Sequence, residues 1–219
     1  MVELVHGLSA ELVRLNLGRV QHAIADVGRE PTEVEILAAV KYVPLEELGA
    51  LSQAGVRVVG ENRAQDLVRK TEAGPEGLTW DFIGQLQSRK VRDVVPLVRY
   101  IHSVCTDSVL AQLARHATPE TEVLIEVNVA GEEGKSGLAP SQLPSFMERC
   151  PAAVVGLMTM PPFTERAEDN RRHFASLAEL AAENGLPQLS MGTSQDYLVA
   201  VQEGATIVRL GTTLYQGAS

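Results

Sequence analysis

The sequence contains few cysteines and no apolar run long enough to span a bilayer. Its two cysteines, Cys105 and Cys150, fit a reduced intracellular protein better than a disulfide framework. Neither belongs to a closely spaced Cys/His cluster, so no metal site is predicted. Residues 1–6 lack the basic region, apolar stretch and small-residue cleavage site of a secretory leader. We therefore expect a cytoplasmic protein that does not insert into membranes.

Positive charge is also scarce. The 19 lysines and arginines are outnumbered by 28 aspartates and glutamates, which gives a formal net charge of -9. An acidic surface argues against nucleic acid or anionic lipid as a general partner, because both require a cationic face. A local cationic pocket for a single phosphate is compatible with this balance.

Short apolar runs alternate with segments of helical spacing along the chain, of which 45% is hydrophobic. An amphipathic helix is predicted at 8–27, and the apolar runs that follow are rich in β-branched residues, as parallel strands are. The predicted strands are 35–41, 56–60, 79–84, 100–105, 122–128, 153–159, 188–191 and 206–210. Predicted helices between them include 45–54, 65–73, 108–117 and 171–183.

The alternation gives about eight strand–helix units, the number that closes a TIM barrel. A doubly wound open sheet is the main alternative. We favour the barrel because polar, glycine-bearing segments follow the ends of many strands instead of clustering at one crossover. The prediction is therefore a single α/β domain over residues 1–219, folded as a (β/α)8 barrel.

Lys41 ends the otherwise apolar strand predicted at 35–41, and Pro44 soon stops the run. The carboxyl ends of barrel strands form the usual active-site mouth. Partial burial of Lys41 there would favour its neutral amine, which can attack an aldehyde. A snorkelling lysine at a strand end is the alternative, and position alone favours it.

Two polar turns follow the predicted seventh and eighth strands. Residues 190–194 (SMGTS) offer hydroxyl and backbone N–H donors before a helix predicted at 195–201, a combination suited to a phosphate. Helix capping by Ser194 is the alternative. Residues 209–213 (RLGTT) place an arginine, a glycine and two threonines after the eighth strand. TIM barrels often bind phosphate with these two loops, so together with Lys41 they indicate a phosphorylated aldehyde cofactor.

Other polar or polarisable residues near the predicted strand ends carry a weaker signal. His102 alone is expected to be a structural histidine, and Met158 and Met160 are expected to pack inside the barrel. We find no paired carboxylates at the predicted strand ends, so the sequence does not indicate a hydrolase.

Several ordered segments resemble the pyridoxal phosphate homeostasis protein family. They are LAAVK (37–41), GEN (60–62), FIGQLQS (82–88), IHSV (101–104), VN (127–128), KSG (135–137), GLMT (156–159), SMGTS (190–194) and RLGT (209–212). The resemblance runs in order from about residue 35 to residue 215, which is nearly the whole chain.

The resemblance implies an alanine-racemase-like barrel with pyridoxal 5′-phosphate (PLP) at its carboxyl face. Lys41 matches the family's Schiff-base lysine, and Asn62 is carried over as a neighbour of the cofactor. Arg209 falls where this barrel class places an arginine beside the pyridine nitrogen, which would leave that nitrogen unprotonated and the cofactor a weak electron sink. The other implied cofactor-binding residues are Ser190, Met191, Gly192, Thr193 and Ser194 of the phosphate loop, and Gly211 and Thr212 of the second phosphate turn.

The sequence departs from the family pattern around the lysine. Val40 and Tyr42 replace the small hydroxyl residues that usually flank it, and Gln85 stands where a histidine is common. Thr193 stands where a methionine is common, and residues 214–219 lack the usual aromatic–glycine–x–basic ending. These changes leave the lysine and both phosphate turns intact, but they alter the lining around the aldehyde.

The function implied is a PLP-binding protein that holds, buffers or delivers the cofactor in intracellular vitamin B6 homeostasis and amino-acid balance. A monomer is expected, with PLP-dependent apo-enzymes as candidate partners. The alternative is a racemase or Schiff-base lyase with weak activity. Since few residues follow the predicted eighth strand, we expect no second domain of the kind that alanine racemases use. A third interpretation makes Lys41 an aldolase-type amine that acts on a sugar phosphate.

Overall fold

The computed structural model describes residues 4–216. Eight parallel strands close into a barrel in sequence order, which confirms the predicted (β/α)8 fold. The strands are β1 (Glu35–Ala39), β2 (Val58–Glu61), β3 (Thr79–Phe82), β4 (Tyr100–Val104), β5 (Glu122–Glu126), β6 (Ala153–Met158), β7 (Gln188–Thr193) and β8 (Ile207–Leu210). The predictions made from residues 1–6 and from the ending at 214–219 lie partly outside the described residues.

Each predicted strand overlaps an observed one, but the first strand is shorter than predicted. β1 ends at Ala39, and the chain then turns, with the Val43 N–H donating to the Val40 carbonyl at 3.0 Å. The Val40 N–H still donates to the Gly60 carbonyl of β2, but the Val40 carbonyl bonds within the turn. Lys41 therefore lies two residues beyond the strand. The prediction that Lys41 ends the strand is wrong by that margin.

Helices cover the outside of the barrel. They are α1 (Ala10–Asp26), α2 (Leu48–Ala54), α3 (Ala64–Ala73), α4 (Val91–Val94), α5 (Asp107–His116), α6 (Leu143–Glu148), α7 (Arg171–Glu183), α8 (Tyr197–Gln202) and α9 (Thr212–Tyr215). The side chain of Ser9 caps α1, and that of Thr106 caps α5. Across residues 4–216, no helix combines the length and the apolar composition that a membrane crossing needs.

The main core lies between the strands and the helices. In α7, Phe174, Leu177 and Ala181 recur at helical spacing on one face, and all three are buried. Such stripes pack against the outward-facing apolar residues of the strands. Strand residues in this layer include Ala38, Val59, Ile101, Val123, Leu157 and Val208.

The barrel interior holds a second, smaller apolar cluster. Leu37, Val58 and Ile207 are buried there, and Ile83 packs against them. At Gly60 the space is full, because an added Cβ would lie 2.5 Å from the Leu37 Cδ2 atom and 2.8 Å from the Ile83 Cδ1 atom. This cluster fills the part of the interior beside β1, β2 and β8. Polar side chains of β3, β4, β7 and β8 are buried in the rest of the interior.

Candidate functional site

A cavity of about 750 Å³ opens at the carboxyl ends of the strands, a volume typical of small-molecule sites. Residues that follow several different strands line it, as expected for the mouth of a TIM barrel. Its lining includes Ala39, Lys41, Tyr42, Asn62, Gly84, Gln85, Ser103, Glu126, Ser136, Met158, Met160, Thr193, Ser194, Arg209, Gly211, Thr212 and Tyr215.

Lys41 lies on the wall of this cavity, in the turn after β1. Its side chain is exposed, so the predicted partial burial is wrong. The Nζ atom lies 4.7 Å from the centroid of the Tyr42 ring, within reach of a cation–π interaction. The same turn is fixed from below, because the Tyr215 hydroxyl donates to the Ala39 carbonyl at 3.1 Å. The amine is therefore accessible on a fixed stretch of backbone.

A buried ion pair also supports this turn. Lys70 of α3 donates to the Val40 carbonyl at 2.7 Å and to the Glu61 carboxylate at 2.6 Å. The other oxygen of Glu61 accepts from the backbone N–H groups of Asn62, at 2.6 Å, and Arg63, at 3.2 Å. The pair thus ties the lysine turn to the turn that carries Asn62. Such a pair holds geometry more than it adds stability, because both charges must be desolvated.

The turns after β7 and β8 meet at Ser194. Its hydroxyl oxygen accepts from the backbone N–H groups of Gly211, at 3.2 Å, and Thr213, at 3.3 Å. Ser194 therefore caps α9, whereas the capping alternative placed it on the following helix, α8. Since the oxygen accepts both bonds, its hydrogen is left to donate to a ligand in the cavity.

Glycine matters at two positions of these turns. Gly192 has φ +90°, and a Cβ there would lie 2.6 Å from the Ala200 side chain. At Gly211 a Cβ would meet no atom of the described chain closer than 3.8 Å, which is the distance to the Ala39 carbonyl oxygen. Gly192 is therefore required by the fold itself. Gly211 instead keeps the cavity wall open to a ligand's close approach.

Thr193 lines the cavity, but its backbone N–H and its hydroxyl both form hydrogen bonds within the protein. Its N–H donates to the Asp196 carboxylate at 2.7 Å and its hydroxyl to the same oxygen at 3.1 Å. The other oxygen of Asp196 accepts from the Asn170 amide at 2.9 Å. Thr193 and Asp196 thus shape the seventh turn from behind.

Arg209 lies at the floor of the cavity and is 6% exposed. Its guanidinium donates to the Ser190 carbonyl at 2.7 Å, to the Ser190 hydroxyl at 2.6 Å and to the Thr159 carbonyl at 2.9 Å. A fourth N–H points at the Met160 sulfur at 2.9 Å. Burial lowers the pKa of Arg209 to about 10, so the group is cationic at neutral pH. Met160, expected to pack inside the barrel, is instead 53% exposed at the cavity lip.

Sequence reasoning missed the partners of Ser190. Its hydroxyl lies 2.8 Å from the Nδ1 atom of His102, whose Nε2 atom lies 3.1 Å from the Asp81 carboxylate. Asp81 in turn accepts from Arg99. His102 and Asp81 are fully buried, so these are interior polar contacts. The one available signal was Asp81 itself, a single charge inside an apolar strand.

Glu126, at the end of β5, is a second residue that the sequence did not single out. It lines the cavity and accepts a hydrogen bond from the Ser136 hydroxyl at 2.5 Å. Burial raises the pKa of Glu126, and the bond from Ser136 offsets this only in part. The cavity therefore contains a carboxyl group that is easier to protonate than an exposed glutamate.

The structure brings seven of the ten predicted site residues to the cavity wall: Lys41, Asn62, Thr193, Ser194, Arg209, Gly211 and Thr212. The other three lie behind it. Ser190 is buried beneath Arg209, and Met191 packs in the core between strands and helices. Gly192 shapes the turn through its backbone.

Comparisons with known proteins agree with the barrel fold. Residues 15–219 match the family model for the alanine racemase N-terminal domain. A pyridoxal phosphate homeostasis protein of Aquifex aeolicus is 41% identical over 213 residues, which cover 91% of this chain and 93% of the relative. One from Pseudomonas aeruginosa is 37% identical and covers 94% of each chain. The structure of PipY from Synechococcus elongatus with PLP bound superposes with a TM-score of 0.78 at 29% identity, covering 93% of this chain and 100% of PipY.

Proposed function

Because this chain belongs to the pyridoxal phosphate homeostasis protein family, we propose that it binds PLP as a Schiff base on Lys41 and acts in intracellular vitamin B6 homeostasis and amino-acid balance. The observation that carries the proposal is a single cavity lined by the Lys41 amine together with the turns after β7 and β8. A primary amine takes the aldehyde and releases water, whereas hydroxyl and N–H donors at the turns suit the phosphate.

The donor set fits a phosphorylated pyridine aldehyde. Ser194 has a hydroxyl hydrogen to spare, and Gly211 leaves open space beside it. We assign the phosphate to these residues and to Thr212, with Ser190 to Thr193 holding the turn from behind. Arg209 would face the pyridine nitrogen. Because a guanidinium that is already cationic does not readily accept a proton, the ring nitrogen would stay unprotonated.

Asn62 is the remaining proposed neighbour of the cofactor. Its Oδ1 atom is buried with no hydrogen-bond partner among residues 4–216, although the residue lines the cavity. A buried acceptor without a partner costs free energy unless a donor reaches it. We propose that a bound ligand supplies that donor.

We propose a carrier without robust turnover over a racemase or lyase. In delivery, a second primary amine replaces the Lys41 amine at the same carbon, so no oxidant or reductant is required. The exposed position of Lys41 leaves it accessible to such an amine. PLP-dependent apo-enzymes are the proposed receivers, and a monomer in the cytoplasm is the proposed working form.

The test is the visible absorption spectrum of the purified, PLP-loaded protein before and after borohydride. We expect a Schiff-base band that borohydride abolishes, together with a stable PLP adduct on the peptide that contains Lys41. Lys41→Ala should show neither, and Lys90→Ala, at a lysine outside the cavity lining, should behave like the wild type. Absence of the band in the wild type would favour the aldolase-type interpretation. Steady turnover of an amino acid by the loaded protein would favour the racemase or lyase.

A further inference from the structure

The contact between His102 and Ser190 crosses the barrel. His102 lies on β4 and Ser190 on β7, strands that are not neighbours in the closed sheet. Their 2.8 Å contact therefore runs through the interior, where TIM barrels usually place branched apolar side chains. With Asp81 on β3 and Arg209 on β8, four strands contribute to one buried polar chain. Buried polar chains of this kind fix a single arrangement only if every member is satisfied.

The Asp81 end of the chain is anionic. Burial alone would raise its pKa, but hydrogen bonds from His102 and Arg99 outweigh it and hold the pKa of Asp81 below its ordinary value. The carboxylate also accepts from the Tyr100 backbone N–H at 3.2 Å. Arg99 continues to Glu35, with N–O distances of 2.5 and 2.8 Å. An ionised carboxylate can only accept, which sets the direction of every bond that follows.

His102 is neutral in this setting, because burial lowers its pKa and the bond to Asp81 offsets this only in part. Its Nε2 atom faces an acceptor-only carboxylate, so Nε2 carries the hydrogen. The Nδ1 atom of a neutral imidazole is then an acceptor. It follows that the Ser190 hydroxyl donates to Nδ1 of His102.

The serine oxygen is therefore turned to accept from Arg209. Two of the guanidinium N–H groups go to Ser190, one to the hydroxyl oxygen and one to the carbonyl. A third goes to the Thr159 carbonyl. The fourth goes to the thioether of Met160, a weak acceptor on an exposed side chain. Three strong hydrogen bonds hold the Arg209 guanidinium. The N–H that faces Met160, at the cavity side, can turn to a better acceptor at little cost.

We infer that Asp81 and His102 are positioning residues for Arg209, and that the chain from Asp81 to Ser190 aims one weakly held guanidinium N–H at the ring nitrogen of the cofactor. This inference rests on the proposed function. Neither residue lines the cavity, so each acts through Ser190. A histidine that donated from Nδ1 would take the acceptor away from the Ser190 hydroxyl hydrogen and would place a second donor on the oxygen that Arg209 uses, which would loosen the guanidinium.

The test replaces His102 with Leu, which removes both hydrogen bonds, and with Gln, which keeps a donor and an acceptor. The first readout uses the cofactor-free protein: the side-chain ¹⁵N–H resonances of Arg209, which slow exchange makes visible in a buried, fixed guanidinium. We expect them to be protected in the wild type and in His102→Gln, and lost through exchange in His102→Leu. Because it needs no PLP, this readout tests the chain even if the proposed function fails.

The second readout is PLP binding and the ¹⁵N chemical shift of ring-labelled PLP. We expect His102→Leu to weaken binding about tenfold, the size of one hydrogen bond to a charged group, and to shift the ring-nitrogen resonance. His102→Gln should restore both. Ile207→Ala makes a cavity in the same interior, next to Ser190, but removes none of the hydrogen bonds of the chain, so it should leave Arg209 protection and the ring-nitrogen shift unchanged.

Some outcomes would overturn the inference. One is a folded His102→Leu protein with wild-type Arg209 protection and wild-type ring-nitrogen shift. Another is an equal loss in Ile207→Ala, which would mean that any interior cavity has this effect. If His102→Leu does not fold, Ser190→Ala breaks the chain one bond closer to Arg209, and the same two readouts decide. Failure of the wild type to bind PLP would contradict the proposed function, whereas the Arg209 resonances would still report on the chain.

Discussion

The two sides of the barrel interior are built on opposite principles. Beside β1, β2 and β8, Leu37, Val58 and Ile207 form an apolar cluster that needs only shape complementarity. The polar side starts across from it, where Asp81 and His102 begin a chain of directed hydrogen bonds that crosses the interior and ends at Arg209, on β8. The apolar side can relax around a substitution. The polar side cannot, because each member fixes the donor or acceptor role of the next. The directed bonds are therefore found on the side that reaches the cavity, through Arg209.

Breaking the polar side at its anionic end should have the largest effect. Asp81→Leu leaves the Nε2–H of His102 buried without an acceptor and removes two hydrogen bonds from the half-buried Arg99 guanidinium. We expect the free energy of unfolding to fall by about 3–5 kcal/mol, the usual result of removing one partner from a buried pair. Urea denaturation measures it. Asp169→Leu, which breaks an exposed pair with Arg166, should change stability far less. Equal losses in the two variants would mean that the buried chain has no special role.

Breaking the apolar side should cost somewhat less and spare the site. Leu37→Ala removes a fully buried side chain and should lower the free energy of unfolding by about 2–5 kcal/mol, depending on how far Ile83 and Val58 relax into the cavity. Because no hydrogen bond is lost, Arg209 should keep its protected N–H resonances. Denaturation and the NMR spectrum together check this. Loss of those resonances would show that the two sides are coupled.

The two sides should also differ in their response to pH. His102 is neutral in the folded protein with a lowered pKa, whereas in the unfolded chain it takes up a proton below about 6.5. The unfolded state then binds more protons, so stability falls as the pH drops through that value, by up to about 1.4 kcal/mol per pH unit. His102→Gln should flatten this dependence relative to the wild type, and Leu37→Ala should not. Denaturant titrations from pH 7 to 5 measure the slopes.

Much of the fold was predictable from the sequence, because strand and helix periodicities are local. Arg171–Glu183 is a helix over the predicted range, and every predicted strand overlaps an observed one. Lys41 and the two turns after β7 and β8 were also found, since glycine and hydroxyl residues mark turns. The polar chain was not, because its His102–Ser190 contact joins residues 88 positions apart across the barrel. Periodicity shows which face a residue occupies, but not which side chain it meets.

Lys70 shows the same limit on a helix. It lies in the last turn of α3, where the charge of a lysine usually interacts favourably with the helix dipole and the side chain points to water. Instead it is 2% exposed and binds Glu61 and the Val40 carbonyl. Nothing in the local sequence separates the two outcomes, since the buried acceptors come from two other segments. Only the closed barrel brings them together.

The smallest expected effect lies where the polar side meets the cavity. Met160→Leu removes the thioether that accepts from Arg209 but keeps a side chain of similar size on an exposed lip. The free energy of unfolding should change by less than about 0.5 kcal/mol, as for most surface substitutions. Protection of Arg209 should persist, because Ser190 and Thr159 still hold it. A loss of that protection, measured by amide and guanidinium exchange, would mean that Met160 is a member of the chain and that the polar side extends to the surface.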